Sequence, residues 1–364
     1  MTTFVQFHLL TSYGPSNPNR DDQGRPKQAM VGGVSRLRMS SQSVKRALRE
    51  SSFFALDLKG HIGTRTKRLH EKLMSHLAGR GTEATRAAAV ATEVAQIFGK
   101  IDEPKKGEEA RVATTLAFIS PDEWKLAEEL AEKAAAGEPL PKDKDLKKLV
   151  LRRADGAVDI AMFGRMLADD ADFNRDAAVQ VAHAITTHGA QAEEDWYSAV
   201  DDLNKAEDTG AGHLGETAFG SGIYYQYVCV NCDLLIENLG GDKELAARGI
   251  EALAKALPQT APAGKQNSFA HRPMAFYMRA EAGPRAPRDL SGAFFSPVDR
   301  KLRELGANDL QRGSIKAMEQ TAVQIDLCYY DGQAEKTCPP LNTLDGTGTL
   351  SEIVRFAGEA VRGA

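Results

Sequence analysis

The stretch Arg36-Leu-Arg-Met-Ser-Ser-Gln-Ser-Val-Lys-Arg-Ala-Leu-Arg49 changes from the pattern of a strand to the pattern of a helix. Arg36 and Arg38 alternate along an extended segment, so both side chains are expected on the same side. Ser40 and Ser41 supply an N-cap oxygen, after which apolar residues follow at helical spacing. The sequence therefore predicts a strand that leads into a basic helix, whose N-terminal N–H groups are available to an anion.

Cations are concentrated around this stretch, although the whole chain of 364 residues has a formal net charge of −4. Between Arg20 and Arg49 there are eight Lys or Arg residues against two acids, Asp21 and Asp22. The segment thus carries +6, which leaves −10 for the rest of the chain. A solvated basic helix face is the simpler interpretation, but it leaves the arginines of the preceding strand without a role. This concentration of positive charge in one segment favours contact with a phosphate backbone.

Bulk composition places the chain among ordinary globular proteins. Hydrophobic residues make up 42% and charged residues 26% of the sequence, as in soluble domains. It contains no run of about 18 apolar residues, as a membrane helix needs, and no secretory signal at the N-terminus. Four cysteines do not form a disulfide framework. We expect a cytoplasmic protein with no membrane partner.

The coarse pattern predicts a helical insertion in a smaller α/β body. Phe4 to Leu10 is predicted to be a strand, with Val5, Phe7 and Leu9 on one face and Gln6 and His8 on the other. Helices are predicted at 83–98, 121–136, 143–153, 243–257 and 350–361, and further strands at 178–187, 222–231, 274–280 and 321–330. A long loop at 189–221 contains eight acids and one lysine. Long ordered loops on compact domains are usually functional.

Several sequence blocks together resemble the CasC (Cse) family, the repeated backbone subunit of type I-E CRISPR Cascade complexes. The blocks, in chain order, are Asn19-Arg-Asp-Asp22, Lys27, Gly32-Gly33, Arg36 to Ala47, Val158 to Ala161, Gly164-Arg-Met166, Ala182 to His188, Asp195-Trp196, Ala199 to Leu203, Ala211 to Gly215 and Lys265-Gln266. They cover residues 1 to about 270. Two departures are Val34-Ser35, where the family often has basic residues, and the poorly matched segment 57–153.

The resemblance implies an α+β fold with an RRM-like (ferredoxin-like) palm at 1–56 and 154–364, helical fingers at 57–153 and a thumb loop at 189–221. It also implies a non-catalytic subunit without a cofactor or metal. Copies of such a subunit stack head to tail along a CRISPR RNA (crRNA), beside the other Cascade subunits. They present the spacer for pairing with target DNA in antiviral defence.

The resemblance assigns residues to an RNA contact. The following residues would bind RNA: Arg20, Lys27, Arg38, Ser40, Gln42, Lys45, Arg46, Arg49, Gly164, Arg165, Met166, Trp196, His213, Leu214 and Lys265. Met166 would be a wedge against bases, and the thumb residues would cross the strand and displace one base per subunit. The charge pattern, and not the resemblance, singles out a lysine cluster in the insertion: Lys142, Lys144, Lys147 and Lys148. The default interpretation is a solvated helix face mixed with Asp143 and Asp145, and the sharper one is a non-specific groove for a DNA duplex.

Two motifs suggest chemistry instead of binding. Cys229-x-x-Cys232 has a zinc-like spacing but lies in an apolar, strand-like run, so a buried structural thiol is the preferred interpretation. His183 and His188, with aspartates nearby, leave open a metal-dependent endoribonuclease acting on single-stranded RNA. We expect His183 to be a packed core residue and His188 to anchor the base of the thumb.

Overall fold

Two compact units divide the chain in the computed structural model, which describes residues 2–103, 111–141, 143–151, 156–167, 171–199 and 213–364. The sheet unit comprises Met1–Phe54, Gln180–Val230 and Ile250–Gly363. The helical unit comprises Ala55–Val179, Asn231–Gly249 and Ala364. The predicted insertion at 57–153 falls inside the helical unit. That unit also includes residues up to 179 and the separate segment 231–249.

Mixed α+β architecture, as predicted, is built around one large sheet. Among the described residues the strands are β1 (Phe4–Ser16), β2 (Gln28–Val31), β3 (Val34–Met39), β4 (Thr64–Thr66), β5 (Ala117–Ile119), β6 (Val179–Val181), β7 (Ala184–Thr186), β8 (Glu193–Ala199), β9 (His213–Asn231), β10 (Ala275–Gly283), β11 (Lys336–Thr337) and β12 (Leu341–Asn342). The sheet order is β11-β10-β1-β9-β7-β3-β2, with β12 on β10 and with β6 and β8 on β9. β4 and β5 form a separate pair.

Strand β1 lies inside the sheet between β10 and β9. It pairs antiparallel with β10, for example Phe7 opposite Ala280. Val5, Phe7 and Leu9 are buried, as the alternation predicts, but Gln6 and His8 are buried as well. Both faces of this strand are therefore covered, and the polar side chains of the second face form hydrogen bonds inside the protein. The Gln6 side-chain oxygen, for example, accepts a hydrogen bond from the Tyr227 hydroxyl at 2.6 Å.

The helices within the described residues are α1 (Ser41–Arg49), α2 (Ser52–Asp57), α3 (Leu69–Gly79), α4 (Ala84–Ala95), α5 (Pro121–Ala135), α6 (Asp143–Val150), α7 (Val158–Phe163), α8 (Cys232–Asn238), α9 (Lys243–Ala256), α10 (Gln266–Phe269), α11 (Leu310–Tyr330) and α12 (Leu350–Arg362). The basic helix predicted after Ser40 is α1, and the five helices predicted by range correspond to α4, α5, α6, α9 and α12. The strand predicted at 321–330 is wrong, because this segment is the second half of α11. No helix among the described residues combines the length and apolarity of a membrane span.

Helices α3, α4 and α5 enclose the core of the helical unit. Leu73, Leu77 and Val94 are among its fully buried side chains. α5 begins with a capping box, in which the Ser120 hydroxyl accepts a hydrogen bond from Glu123 N and the Glu123 carboxylate accepts one from Ser120 N. Such reciprocal caps satisfy two N–H groups at a helix start. Here the cap also brings the Glu123 carboxylate into the core, where it is completely buried.

The acidic segment predicted as a loop forms the two arms of a β-hairpin. β8 pairs antiparallel with the first half of β9, from Glu193 opposite Phe219 to Ala199 opposite His213. Residues 200–212 lie outside the described residues. The loop prediction is therefore wrong for both arms. Alternating polar residues on the two arms leave no apolar face from which strands could have been predicted.

Candidate nucleic-acid interface

The β3–α1 junction has the geometry that the sequence predicts. Ser40 is the N-cap of α1, and its hydroxyl accepts a hydrogen bond from Ser43 N at 3.3 Å. The Asn19 side-chain oxygen accepts a hydrogen bond from Ser40 N at 2.8 Å, so the preceding loop holds the start of the helix. Val44 and Leu48 are buried beneath the helix. Ser40 itself is buried and acts as a cap. Its contact with RNA remains a prediction.

Lys27 and Arg38 form the cationic edge beside this junction. Arg38 N donates to the Lys27 carbonyl oxygen at 2.8 Å, and Lys27 N donates to the Asn19 carbonyl oxygen at 3.0 Å. The Arg38 guanidinium donates to His183 Nδ1 at 2.9 Å. Burial, followed by the charges of Arg38 and Lys27, lowers the pKa of His183. His183 is exposed and follows β6, so the prediction of a packed core residue is wrong.

The outward face of α1 carries the amide and the cations that the sequence assigned to RNA binding. Gln42 and Arg46 are exposed, and Lys45 and Arg49 are half-buried. Burial lowers the pKa of Lys45. The Arg46 guanidinium donates to the Glu50 carboxylate at 2.9 Å, with both side chains more than half exposed. Such a solvated pair is weak, so Arg46 can exchange Glu50 for a phosphate at little cost.

A cleft of about 530 Å³ lies along the same helix. Ser43 and Arg46 line it from α1, and the segment 260–264 lines it from the opposite side. Lys265 follows directly and has a positive φ of 53°, in the left-handed region that side chains other than glycine seldom adopt. The segment is tightly packed, because a Cβ at Gly264 would collide with the carbonyl oxygen of Pro18. The structure thus brings the segment ending at Lys265 to the basic helix.

Two cations of the basic segment are engaged within the protein. Arg36 is completely buried and donates hydrogen bonds to the carbonyl oxygens of Thr186 (3.2 Å) and Phe294 (2.8 Å). The prediction that it faces outward with Arg38 is wrong, because the folded chain buries it and backbone carbonyls from distant segments accept hydrogen bonds from two of its nitrogens. Arg25 donates to the Glu194 carboxylate on β8 at 2.7 Å. Arg20, which the sequence assigned to RNA, is exposed.

Gly32 and Gly33 form the two-residue turn of the β2–β3 hairpin. Their φ values are 59° and 75°, and Val31 pairs with Val34 on either side of them. Positive φ at both central residues is typical of a type I′ turn. A Cβ at Gly32 would collide with the carbonyl oxygen of Phe295, so the chain itself fills the space beside this glycine.

The hairpin of β8 and β9 presents exposed aromatic residues. Trp196, opposite Glu216, is 68% exposed, and Tyr197, opposite Gly215, is 50% exposed. The Tyr197 ring covers Gly215, where a Cβ would collide with it. The His213 and Leu214 side chains lie outside the described residues. Their contact with RNA stays a prediction. Trp196 is exposed and open to a partner.

In the helical unit, the three neighbours Gly164, Arg165 and Met166 have different surroundings. Gly164 ends α7 with a φ of 79°, and Met166 is 81% exposed. The Arg165 side chain is buried and donates to Glu123 at 2.5 Å. The prediction of an RNA-facing guanidinium therefore needs correction, because this charge lies in the core of the helical unit. Exposed Met166 fits the predicted role as a wedge.

The lysine cluster of the insertion falls on α6. Lys147 is half-buried and Lys148 is exposed, with its ammonium 3.9 Å from the Asp145 carboxylate. Lys142 and the Lys144 side chain lie outside the described residues. The structure thus places two of the four predicted DNA contacts on one helix that also carries acids.

Residues of the two motifs that suggested chemistry have structural roles in the fold. Cys229 and Cys232 are buried free thiols, and burial raises the pKa of Cys229 to about 11. This agrees with the preferred interpretation of a structural thiol. His188 Nε2 accepts a hydrogen bond from Ile223 N at 3.1 Å, which anchors the base of the hairpin as predicted. No group of three or more potential metal ligands occurs within the described ranges.

Sequence reasoning missed two residues that organise the interface. Asn19 was noted only as part of a motif, yet its side chain holds the N-terminus of α1. Arg25 was counted only as a cation of the basic segment, although its guanidinium forms ion pairs with the hairpin acids Glu194 and Glu216. Both contacts join residues distant in sequence, and no local pattern predicts them.

Comparisons with known proteins show the family and the fold of this chain. The family model described as "CT1975-like protein" matches residues 5–352. A chain from a solved "CRISPR RNA-guided surveillance complex, pre-nicking" is similar, with a TM-score of 0.83 and 27% identity over 99% of this chain and 100% of that chain. A chain from another "CRISPR RNA-guided surveillance complex" has a TM-score of 0.70 and 23% identity over the same shares, which shows likeness of fold alone. No curated protein sequence matches.

Proposed function

Because this chain belongs to the CT1975-like protein family, we propose that it is a crRNA-binding subunit of a CRISPR RNA-guided surveillance complex. The observation that carries the proposal is the cationic surface around α1. We call it the α1 surface and define it by Lys27, Arg38, Gln42, Lys45, Arg46 and Arg49. All six side chains are exposed or half-exposed, on the strand side of the junction and along α1 as far as its last residue, within the sheet unit.

The α1 surface suits a sugar–phosphate backbone better than base edges. Phosphates are bound by Lys and Arg, by amide side chains and by the free N–H groups of a helix N-terminus. Lys27 and Arg38 stand at the strand side of the junction, and Lys45 and Arg46 lie one turn into the helix. A single strand that passes this surface meets successive cations while its bases remain free to pair.

The finer features of the proposal follow the family resemblance. The subunit would be the non-catalytic, repeated backbone of a type I-E Cascade in the cytoplasm, with an RRM-like palm. Copies would polymerise head to tail along the guide, contact the other subunits and present the spacer to target DNA in antiviral defence. A head-to-tail polymer needs two different, complementary surfaces on each copy. The acidic hairpin and the basic α1 surface supply opposite charges for such a pair.

Salt-dependent binding of labelled single-stranded RNA to the purified protein tests the proposal. The logarithm of the affinity should fall with the logarithm of the salt concentration, by about 0.7 for each phosphate neutralised. Lys45→Ala should make this slope shallower by about 0.7 without changing sequence preference. Lys316→Ala, which removes a cation from α11 of the same unit, is the matched control and should leave the slope unchanged. Equal slopes for wild type and both variants would overturn the proposal.

Metal-dependent cleavage is the outcome that favours the endoribonuclease alternative. The same RNA is incubated with the protein and a divalent metal ion, and its length is followed on a gel. A scaffold subunit should leave the RNA intact. Cleavage that disappears in variants of Asp21, Asp22 or His188 would replace the scaffold with an enzyme. Electron microscopy of the protein co-expressed with a CRISPR RNA should show a curved filament that depends on the RNA.

A further inference from the structure

The cleft of about 530 Å³ beside α1 adjoins the surface that is proposed to bind phosphates. One wall is the exposed side of α1 together with Glu50 and Ser51, the other wall is the segment 260–264, and Pro18 completes the lining. Within the described residues the lining has two charged side chains, Arg46 and Glu50. Its other residues are small, hydroxyl-bearing or apolar. A strand that runs along α1 therefore passes this cleft.

Both walls of the cleft are fixed by contacts inside the sheet unit. Buried apolar residues beneath α1 anchor the helix. The buried His271 ring donates a hydrogen bond from Nε2 to the Pro262 carbonyl oxygen at 2.9 Å. Gly264 packs so closely on the loop after β1 that a Cβ there would collide with the Pro18 carbonyl oxygen. The cleft is thus preformed, and a ligand does not have to order its walls.

Among the described residues of the lining, Glu50 is the one carboxylate, and neither helix stability nor phosphate binding favours it there. Glu50 is the C-cap of α1, where the negative end of the helix dipole repels an anion. In its ion pair with Arg46 the basic residue comes four positions before the acid, which is the weaker order. Its charge also repels phosphates. This carboxylate therefore favours a ligand only where the ligand brings it a hydrogen-bond donor.

The sugar–phosphate backbone of RNA carries one such donor in each nucleotide, the ribose 2′-hydroxyl. A DNA backbone carries none. The Arg46 guanidinium and the Glu50 carboxylate are 2.9 Å apart, and the 2′-hydroxyl and 3′-phosphate of a ribose are attached to neighbouring carbons. When Arg46 exchanges Glu50 for a phosphate, the adjacent 2′-hydroxyl can replace Arg46 as the donor to Glu50. Ser43 and Thr260 line the same cleft, and their hydroxyls have no hydrogen-bond partner within the described part of the chain.

We propose that this cleft binds a ribose of the strand on the α1 surface, with Glu50 accepting a hydrogen bond from the 2′-hydroxyl and Arg46 binding the adjacent phosphate. The inference rests on the proposed function and deepens it, because it makes the α1 surface selective for RNA over DNA. A DNA strand would leave the Glu50 carboxylate beside a phosphate without a donor, and this repulsion lowers its affinity. Single-stranded DNA is thereby kept from the place of the guide RNA.

Binding of three labelled oligonucleotides of one sequence to the purified protein tests the ribose site. Their sugars carry a 2′-hydroxyl, a 2′-fluorine or a 2′-hydrogen. Fluorine keeps the sugar pucker of RNA but cannot donate a hydrogen bond, so it isolates the role of the donor. The wild type should bind the 2′-fluoro strand about tenfold more weakly than RNA, as expected for the loss of one hydrogen bond to a charged group. Equal affinities for these two strands would overturn the inference.

Glu50→Ala removes the acceptor from an exposed position, and circular dichroism checks that the fold is retained. The ratio of the affinities for RNA and 2′-fluoro RNA should fall close to one, and the deoxy strand should bind more tightly because the repulsion is lost. Glu359→Ala removes an exposed acid from α12 of the same unit and should keep the ratio of the wild type. A wild-type ratio in Glu50→Ala would overturn the inference, because the selectivity would then arise elsewhere.

A second variant fills the cleft and leaves Glu50 in place. Ala261→Trp, on the wall opposite α1, should also bring the ratio close to one, because the ribose can no longer enter. Ala334→Trp, at an exposed position of the same unit, is its matched control and should keep the ratio. An unchanged ratio in Ala261→Trp would overturn the inference.

The salt slope of RNA binding is measured on the same samples. A wild-type slope that depends on Lys45, without any preference for the 2′-hydroxyl, would overturn the ribose site and leave the proposed function intact. Absence of RNA binding by the wild type would overturn both.

Discussion

The Arg165 guanidinium donates a hydrogen bond of 2.5 Å to the Glu123 carboxylate, and both side chains are almost completely buried. Glu123 also belongs to the capping box of α5. One carboxylate therefore serves a helix start and an arginine 42 residues away. Arg165 further donates to the carbonyl oxygen of Phe118 at 3.2 Å. This cluster ties α5, β5 and the segment after α7 within the helical unit.

Arg165→Met should destabilise the helical unit strongly. Removal of the guanidinium leaves the Glu123 carboxylate buried without its cation, which typically costs about 3–5 kcal/mol. Urea unfolding followed by circular dichroism measures the change in the free energy of unfolding. Arg68→Met removes an exposed arginine from the same unit and should change stability by less than about 0.5 kcal/mol. Similar midpoints for the two variants would contradict a structural role for Arg165.

The elements with strong periodicity could be predicted from the sequence. α4, α5, α9 and α12 lie where the apolar spacing placed them. The C-terminal half of α11 could not be predicted, because Thr321 to Tyr330 alternates β-branched or apolar residues with polar ones, as a half-buried strand does. Ala322 and Asp326 are buried at helical spacing, and Val323 and Leu327 remain exposed. Tertiary packing on this face outweighs the local pattern.

The roles of individual cations in the basic segment could be predicted only in part. The sequence placed the cations around the helix start correctly, because capping and helical spacing are local properties. It could not separate Arg36 and Arg165, which are buried, or Arg25, which pairs with Glu194, from the other cations. Their partners, such as Phe294 for Arg36, are brought near only by the folded chain. A buried arginine and a phosphate-binding arginine have the same sequence signature.

Arg36 and Arg38 are two residues apart on β3, but alanine substitution should affect different properties. At Arg36 it should lower stability, and at Arg38 it should weaken RNA binding. Arg36→Ala leaves the carbonyl oxygens of Thr186 and Phe294 without their donors and should lower the free energy of unfolding by about 3 kcal/mol. Arg38→Ala should change stability little but make the salt slope of RNA binding shallower by about 0.7. Thermal unfolding and RNA titration are measured on both proteins. A stability loss in Arg38→Ala equal to that in Arg36→Ala would refute the distinction.

The ion pair between Arg25 and Glu194 should couple the basic segment weakly to the hairpin. Its nitrogen–oxygen distance is 2.7 Å, and both side chains are nearly half exposed. A double-mutant cycle with Arg25→Ala and Glu194→Ala should give a coupling energy of about 0.2–1 kcal/mol. The coupling should decrease at high salt, because solvent ions screen exposed charges. A coupling that is zero at low salt would show that the hairpin is held by its other contacts, such as Asn17 to Ala218.

His8, at the centre of the sheet, should make the protein less stable as the pH falls below neutrality. The Tyr225 hydroxyl donates to Asp289 at 3.1 Å, so His8 Nδ1, 3.0 Å from the same hydroxyl, is the donor to it. His8 Nε2 is buried without a hydrogen-bond partner among the described residues. Protonation there would bury an unmatched N–H group. Burial, partly offset by Glu281, accordingly lowers the pKa of His8 from 6.5 to about 4.

The unfolded chain takes up this proton near pH 6.5, and the folded chain only near pH 4. Stability is therefore fully present above pH 6.5 and is lost as the pH falls from 6.5 towards 4. Between pH 7 and 5 the loss from His8 should be about 2 kcal/mol. His8→Phe keeps a ring against Tyr227 and removes the titration, so its free energy of unfolding should vary less across this window. Parallel urea titrations at pH 7, 6 and 5 measure both proteins. Equal pH dependence in the two would show that His8 is not the group that titrates.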